Sequence, residues 1–185
     1  MDAKLLEQVE LLEELNRRNR EDKLARYKPY EKQKAWHDMS AEKRCSALLA
    51  GNQGGKSYAA AMQVAIFATG RYPEWWQGKR FSSTTRGWVA GISSVGVRDT
   101  MQRLLLGPLG NQGTGAIPKD CIEQVRMSRG SPDTVDSILV RHVNGYTSQI
   151  TFKSYEQGIT RLAGETLNYV CMDEEPPASR VIPCS

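Results

Sequence analysis

Near the start of the chain, apolar residues recur at helical spacing: Leu5, Val9, Leu12 and Leu15. The pattern predicts an N-terminal amphipathic helix within residues 1–28. Its first half is acidic (Glu7, Glu10, Glu13, Glu14) and its second half basic (Arg17, Arg18, Arg20). That order complements the helix dipole. The apolar face either packs on its own domain or docks another subunit, and the pattern does not separate the two. Pro29 is expected to end the element.

The stretch "YKPYEKQKAWHDMS" reads as a loop leading into a short helix, with Gln33 and Trp36 on neighbouring turns. "CSALLA" (45–50) predicts a short apolar strand. Lys56 to Thr69 is apolar on most faces, which predicts a buried helix, stopped by Gly70. "GWVAGIS" (87–93) predicts a second buried strand, and "VRDTMQRLLLG" (97–107) a helix with Gly107 after its end. Residues 107–136 read as irregular, with at most a short helix near Lys119 to Val125. Residues 137–155 alternate on either side of Asn144-Gly145, which predicts a hairpin with a two-residue turn of positive φ. "LNYVCMDEE" (167–175) predicts an apolar strand ending in acids, halted by Pro176-Pro177.

Composition adds bounds. With 185 residues, 39% of them hydrophobic and 25% charged, the chain suits one domain with a real core. The net charge of +4 leans towards an anionic partner, but the basic residues are spread out, as on a solvated surface. The cysteines (Cys45, Cys121, Cys171, Cys184) lack metal-ligand spacing, and no disulfide is expected. Cys45 and Cys171 lie in apolar runs and read as buried. The acidic N-terminus does not resemble a signal peptide, and no apolar run reaches membrane-spanning length. A cytoplasmic protein with no membrane partner is expected.

The chemistry centres on "AGNQGGKS" (50–57). A predicted strand, a glycine loop and a predicted helix occur in that order, the context in which such a loop cradles phosphate. Backbone N–H groups of Gly51, Asn52, Gln53, Gly54, Gly55, Lys56 and Ser57 would face a β-phosphate at a helix N-terminus. Lys56 would reach the β- and γ-phosphates and the Ser57 hydroxyl would bind Mg2+. Ala50 stands where such loops begin with glycine, and Gly51 beside it supplies flexibility. The bland alternative is a glycine-rich turn before a buried helix. The distant acidic strand end argues against it: Asp173 would hold Mg2+ and Glu174 would orient the attacking water. Glu175 reads as a solvated strand-end residue.

Gln33 offers the donor and acceptor that an adenine edge requires, and Tyr30 could stack on the base. The alternative for Gln33 is a surface glutamine on a lysine-rich helix. In "GRYPEWW", Tyr72, Trp75 and Trp76 beside Arg71 either grip single-stranded nucleic acid or cap a core under a loop; the second reading is the commoner one. His37 and His142 are isolated and carry no assigned chemistry.

Together "AGNQGGKS", "GRYPEWWQGKRF", "LLLGPLGNQGTGAIPKD", "VRHVNGYTSQITFKSYEQG" and "GETLNYVCMDEEPP" resemble the N-terminal ATPase domain of the large terminase subunit of tailed bacteriophages. The likeness runs from about Tyr30 to Pro177. It implies an α/β fold: a P-loop NTPase core of RecA-like (ASCE) type with a mostly parallel sheet over 29–177, plus the N-terminal helix and a β-hairpin. It implies ATP and Mg2+ as cofactors, and double-stranded DNA, a small terminase subunit and a portal protein as partners. By position, Lys56 and Ser57 match the Walker A residues and Asp173 and Glu174 the Walker B acids; Gln33 matches an adenine-reading glutamine loosely.

Two departures accompany the likeness. Relatives often carry a basic residue in the phosphate loop, where Gln53 and Gly54 stand here; Arg161, Arg86 or a neighbouring subunit are the candidate replacements. The core and the nuclease domain of the family are also expected to continue beyond Pro177, whereas residues 178–185 ("ASRVIPCS") do not look like that continuation. Two readings follow. The chain is the ATPase part of a packaging motor, or a truncated prophage remnant that holds nucleotide at most. A helicase-like P-loop ATPase is a third class, opposed by the segments around Gly107 and Tyr155.

Overall fold

The computed structural model describes residues 3–51, 54–130, 133–157 and 165–175. Helices α1 (Ala3–Glu21), α2 (Glu31–Met39) and α3 (Lys56–Thr69) precede strand β1 (Arg86–Gly91). A fourth helical stretch, α4, runs through Ser94–Val97, a π-type turn at Arg98–Gln102, and Arg103–Leu106. Strands β2 (Ile122–Met127), β3 (Val135–Arg141), β4 (Thr147–Ser154) and β5 (Tyr169–Met172) follow. They form one sheet in the order β2-β3-β4-β1-β5.

The sheet is mixed, not mostly parallel. β1 pairs parallel with β4 and with β5, whereas β2–β3 and β3–β4 are antiparallel. The hairpin explains the antiparallel half: β3 and β4 are joined by a tight turn, which permits only antiparallel pairing. That turn differs from the expected one. Gly145 has φ +86, but Asn144 does not share it, and the Gly145 N–H donates to the His142 carbonyl at 2.9 Å. This is a three-residue connection with a left-handed glycine. β2 lies in the stretch expected to be irregular. Its burial pattern shows little inward alternation, so the pairing with β3 at the sheet edge makes it a strand.

The predicted strand over 45–50 does not form. Those residues join no ladder, and Leu49 is 91% exposed. An apolar run becomes a strand only when it pairs with another strand, and these residues pair with none, leaving β5 at the edge of the sheet. Cys45 is accordingly exposed and Cys171 only partly buried, against the expectation that both are buried. Pro29 does not end α1, which stops at Glu21. Pro176-Pro177 and residues 178–185 lie outside the described residues.

α3 forms as predicted, and its apolar faces are buried from Ala59 to Thr69, apart from partial exposure at Ala60 and Gln63. Gly70 ends it with φ +70. Its Phe67 packs edge-on against Trp76 and Phe81, and Trp76 is buried. The aromatic cluster of "GRYPEWW" is therefore core, as the commoner reading had it. α4 is tied to the sheet by the buried amide of Gln102. Its nitrogen donates to the Val135 carbonyl (2.8 Å) and its oxygen accepts from the Val135 N–H (3.0 Å).

His37 is fully buried between Tyr27, Trp75 and Trp76. Its Nδ1 lies 2.7 Å from the Gln63 side-chain oxygen on α3, and its Nε2 lies 3.0 Å from the Tyr27 hydroxyl. One consistent arrangement has Nδ1–H donating to Gln63 and Tyr27 donating to Nε2. The ring thus links α2 to α3 as a neutral group. Burial outweighs the Gln63 bond and the nearby Asp38 charge and lowers its pKa to about 4.

Because the folded pKa lies below the unfolded one, this stabilisation is complete above about pH 6.5. It is lost as pH falls towards 4, and amounts to about 3 kcal/mol. Denaturant midpoints measured from pH 7 to pH 4 should therefore fall. His37→Asn should be less stable at pH 7 yet show a shallower fall; an unchanged slope would exclude His37 as its source.

Candidate functional site

The glycine loop ends where α3 begins. Gly55 is the N-cap in the left-handed conformation (φ +69), and no side chain caps the helix start. The orphan N–H groups of that first turn are what a phosphate oxygen satisfies. Lys56 turns back over the loop. Its Nζ donates to the carbonyls of Ala50 (2.6 Å) and Gly51 (3.1 Å). The ammonium is thus held by the loop's own carbonyls, and among the described residues no acid pairs with it. Ala50 thus contributes through its backbone, which explains why an alanine is tolerated at the first position. Asn52 and Gln53 lie outside the described residues. Gly54 is exposed, and its N–H donates to the Gly51 carbonyl at 3.2 Å.

Gln33 is not a surface glutamine. It is buried, its side-chain oxygen accepts from the Tyr30 N–H (3.0 Å), and its nitrogen donates to the Gly55 carbonyl (3.2 Å). A Cβ at Gly55 would come within 2.9 Å of that same nitrogen. The glycine is therefore required twice, by its φ and by the approach of Gln33. α2 holds the end of the glycine loop in place through this contact. Tyr30 is 76% exposed beside it, with its ring face available to solvent.

The two acids sit at the end of β5. The Asp173 N–H donates to the Ala90 carbonyl at 3.0 Å, so Asp173 continues the β1–β5 ladder by one residue. Asp173 is half-buried and Glu174 exposed. The Tyr155 hydroxyl donates to the Glu174 carbonyl at 3.1 Å and fixes the backbone there. Burial, with help from Cys171, Asp173 and Glu174, pushes the Tyr155 phenol up to about 12. Burial and the Asp173 carboxylate push the Cys171 thiol up to about 12. Both groups stay protonated at neutral pH.

The structure thus joins Gln33, Gly55, Lys56 and the Ala50–Gly51 carbonyls into one unit, and Asp173 and Glu174 into a second. Among the described residues no hydrogen bond or ion pair links the two units. Arg86 lies at the opposite end of β1 from Ala90, the partner of Asp173. It starts β1, four residues before Ala90, or about 13 Å away along an extended strand. Arg161 lies outside the described residues. Sequence spacing did not single out Asp99, Thr100 and Arg103 of α4, which line an open cleft of about 470 Å³ together with Ser57, Leu104 and Pro108. Only the packing of α4 beside the start of α3 reveals them.

Comparison with known proteins decides the family. The family model "Terminase large subunit, T4likevirus-type, N-terminal" matches residues 47–184, a span that contains the glycine loop, Lys56 and the two acids but not Gln33. The chain belongs to the terminase large subunit family. It is also 36% identical over 198 aligned residues to the large subunit of terminase from Salmonella phage P22. The match takes in 96% of this terminase chain and 40% of the phage protein, so the chain spans less than half of that relative's length. No solved structure matches it.

The Gln33 clasp has a measurable cost. Gln33→Leu keeps the volume but strands the Tyr30 N–H and weakens the hold on Gly55. Chemical denaturation should show a loss of about 1–2 kcal/mol. A neutral result would mean that water replaces both bonds.

Proposed function

We propose that this chain is the nucleotide-binding ATPase part of a phage DNA-packaging motor. The observation that carries the reading is the loop itself: an uncapped helix start, a left-handed Gly55 and a Lys56 ammonium held over the loop by the Ala50 and Gly51 carbonyls. It occurs in a chain of the terminase large subunit family.

The donor set suits ATP with Mg2+. Lys56 and the first N–H groups of α3 are donors for phosphate oxygens. Mg2+ is commonly held by one or two oxygen side chains together with phosphate and water, and Ser57 and Asp173 supply such oxygens. Gly51, Asn52, Gln53, Gly54 and Gly55 would line the phosphates. Gln33 would approach the base only by giving up part of its clasp on Gly55 and Tyr30. Bound ATP supplies a phosphoanhydride whose hydrolysis can drive movement.

The chain's own residues would do the rest. Lys56 would exchange its carbonyl partners for the γ-phosphate charge. Glu174, exposed and backbone-anchored by Tyr155, would accept a proton from the water it orients. In the whole motor, double-stranded viral DNA, a small terminase subunit and a portal protein would be the partners, and the host cytoplasm the setting. None of the helices, among the described residues, is long and apolar enough to cross a membrane.

Three measurements test this. Binding of a fluorescent ATP analogue should require Mg2+ and weaken by at least about tenfold in Lys56→Ala. Glu174→Gln should bind as wild type does but lose turnover, by about a hundredfold or more if it is the general base. Wild-type binding without turnover would favour the second reading, a chain that holds nucleotide but does not use it. Absence of binding would remove the phosphate-loop assignment.

A further inference from the structure

The cleft between the start of α3 and α4 holds a cation with no role so far. Ser57 lines it from α3, and Asp99, Thr100, Arg103 and Leu104 line it from α4. Its volume of about 470 Å³ is that of a small-molecule site. Most of its polar groups are already engaged. Arg98 donates to both carboxylate oxygens of Asp99, at 2.8 and 3.3 Å, and the Thr100 hydroxyl donates to the Gly96 carbonyl at 2.7 Å. The Arg98 hydrogen bond, with the charges of Arg98 and Arg103, holds the Asp99 carboxyl below the usual carboxylate range. Arg98 therefore balances Asp99, and the charge of Arg103 is left over. Among the described residues the Arg103 guanidinium and the Ser57 hydroxyl have no hydrogen bond or ion pair.

Arg103 projects from a firmly held base. Met101, Gln102, Leu105 and Leu106 around it are buried, and Gln102 is bonded to both backbone groups of Val135. Arg103 itself is exposed and directly follows the π-type turn at Arg98–Gln102. Such turns within helices recur at functional sites. A long cationic side chain on a fixed backbone is suited to a preorganised anion contact.

Phosphate chemistry gives that contact a use. In "AGNQGGKS" Lys56 is the one cation, and Gln53 and Gly54 add none. A second cation stabilises the charge that develops on a transferring phosphoryl group. Arginine suits the task, since its guanidinium can meet phosphate oxygens with two N–H groups at once. Duplex DNA is the poorer match: it presents a row of phosphates and calls for several cations, whereas the cleft offers one that is unpaired.

We propose that Arg103 is the second cation of the nucleotide site, contacting the terminal phosphate of a bound nucleoside triphosphate across the cleft from Ser57. The proposal rests on the reading of residues 50–57 as a phosphate loop. It makes Arg103 the residue through which the site tells triphosphate from diphosphate, and it lets the loop do without a cation at Gln53.

Binding of fluorescent ADP and of a fluorescent non-hydrolysable ATP analogue to the whole chain, each with Mg2+, tests it. Arg103→Gln should weaken the ATP analogue at least about tenfold, through loss of a charge-assisted contact, and ADP less than about threefold. Because Arg103 is exposed, the thermal midpoint of the variant without nucleotide should match wild type. Arg126→Gln, on the edge strand β2, removes the same charge outside the cleft and should leave both affinities unchanged. Equal losses for ADP and the analogue, or the same selective loss in Arg126→Gln, would overturn the inference and leave the phosphate loop standing. So would no loss for either nucleotide in Arg103→Gln, whether or not duplex DNA binding falls. A wild-type chain that binds neither nucleotide would remove the phosphate-loop reading itself, and this inference with it.

Discussion

The burial of α3 is the constraint on which the rest of the structure rests. The helix is apolar on nearly all sides, so it must be enclosed, and the sheet, α2, α4 and the aromatic cluster enclose it. Its N-terminus cannot be enclosed in the same way, because its first turn carries N–H groups with no intrahelical acceptor. A buried helix with an open, uncapped start leaves those groups facing the glycine loop. The helix is packed from Ala59 to Thr69, whereas Gly55 and Lys56 at its start are held by polar contacts.

Those polar contacts come mainly from α2. Gln33 grips Gly55 at the start of α3, and His37 grips Gln63 two turns further on. The two links are spaced by one turn on α2, which is why one short helix can hold both. His37 is kept neutral by its surroundings, so the link works as a hydrogen bond between uncharged groups in an apolar setting. The acids at the end of β5 are held differently, by the ladder to β1 and by the Tyr155 hydroxyl. Loop and acids therefore belong to separately supported pieces of the fold. That suits a site in which the two would be drawn together by what lies between them.

Membership of the terminase large subunit family and the polar architecture bear on different questions. The family says what kind of machine such chains serve. The geometry says how this chain presents its loop, its acids and its exposed helix. The cleft beside Ser57 is lined by the charged residues Asp99 and Arg103 of α4.

Much of this was legible in the amino-acid order, for local reasons. Hydrophobic period and glycine stops determined α3, its Gly70 terminus, β1, the β3–β4 hairpin and β5, because each depends on residues a few positions apart. The spacing of "AGNQGGKS" and the distant Asp173-Glu174 pair pointed to the candidate site on the same footing. What only the tertiary structure decided depends on who sits beside whom. Residues 45–50 are apolar but find no neighbouring strand, whereas Ile122–Met127, without a clear alternating face, becomes a strand because β3 offers it a ladder. Gln33 and His37 look like ordinary polar positions on a lysine-rich helix until α2 is laid against α3. The α1 leucines have the period of a packed helix, yet nothing in that period says whether a partner surface exists within the fold. Period is a property of one segment, and burial is a property of two.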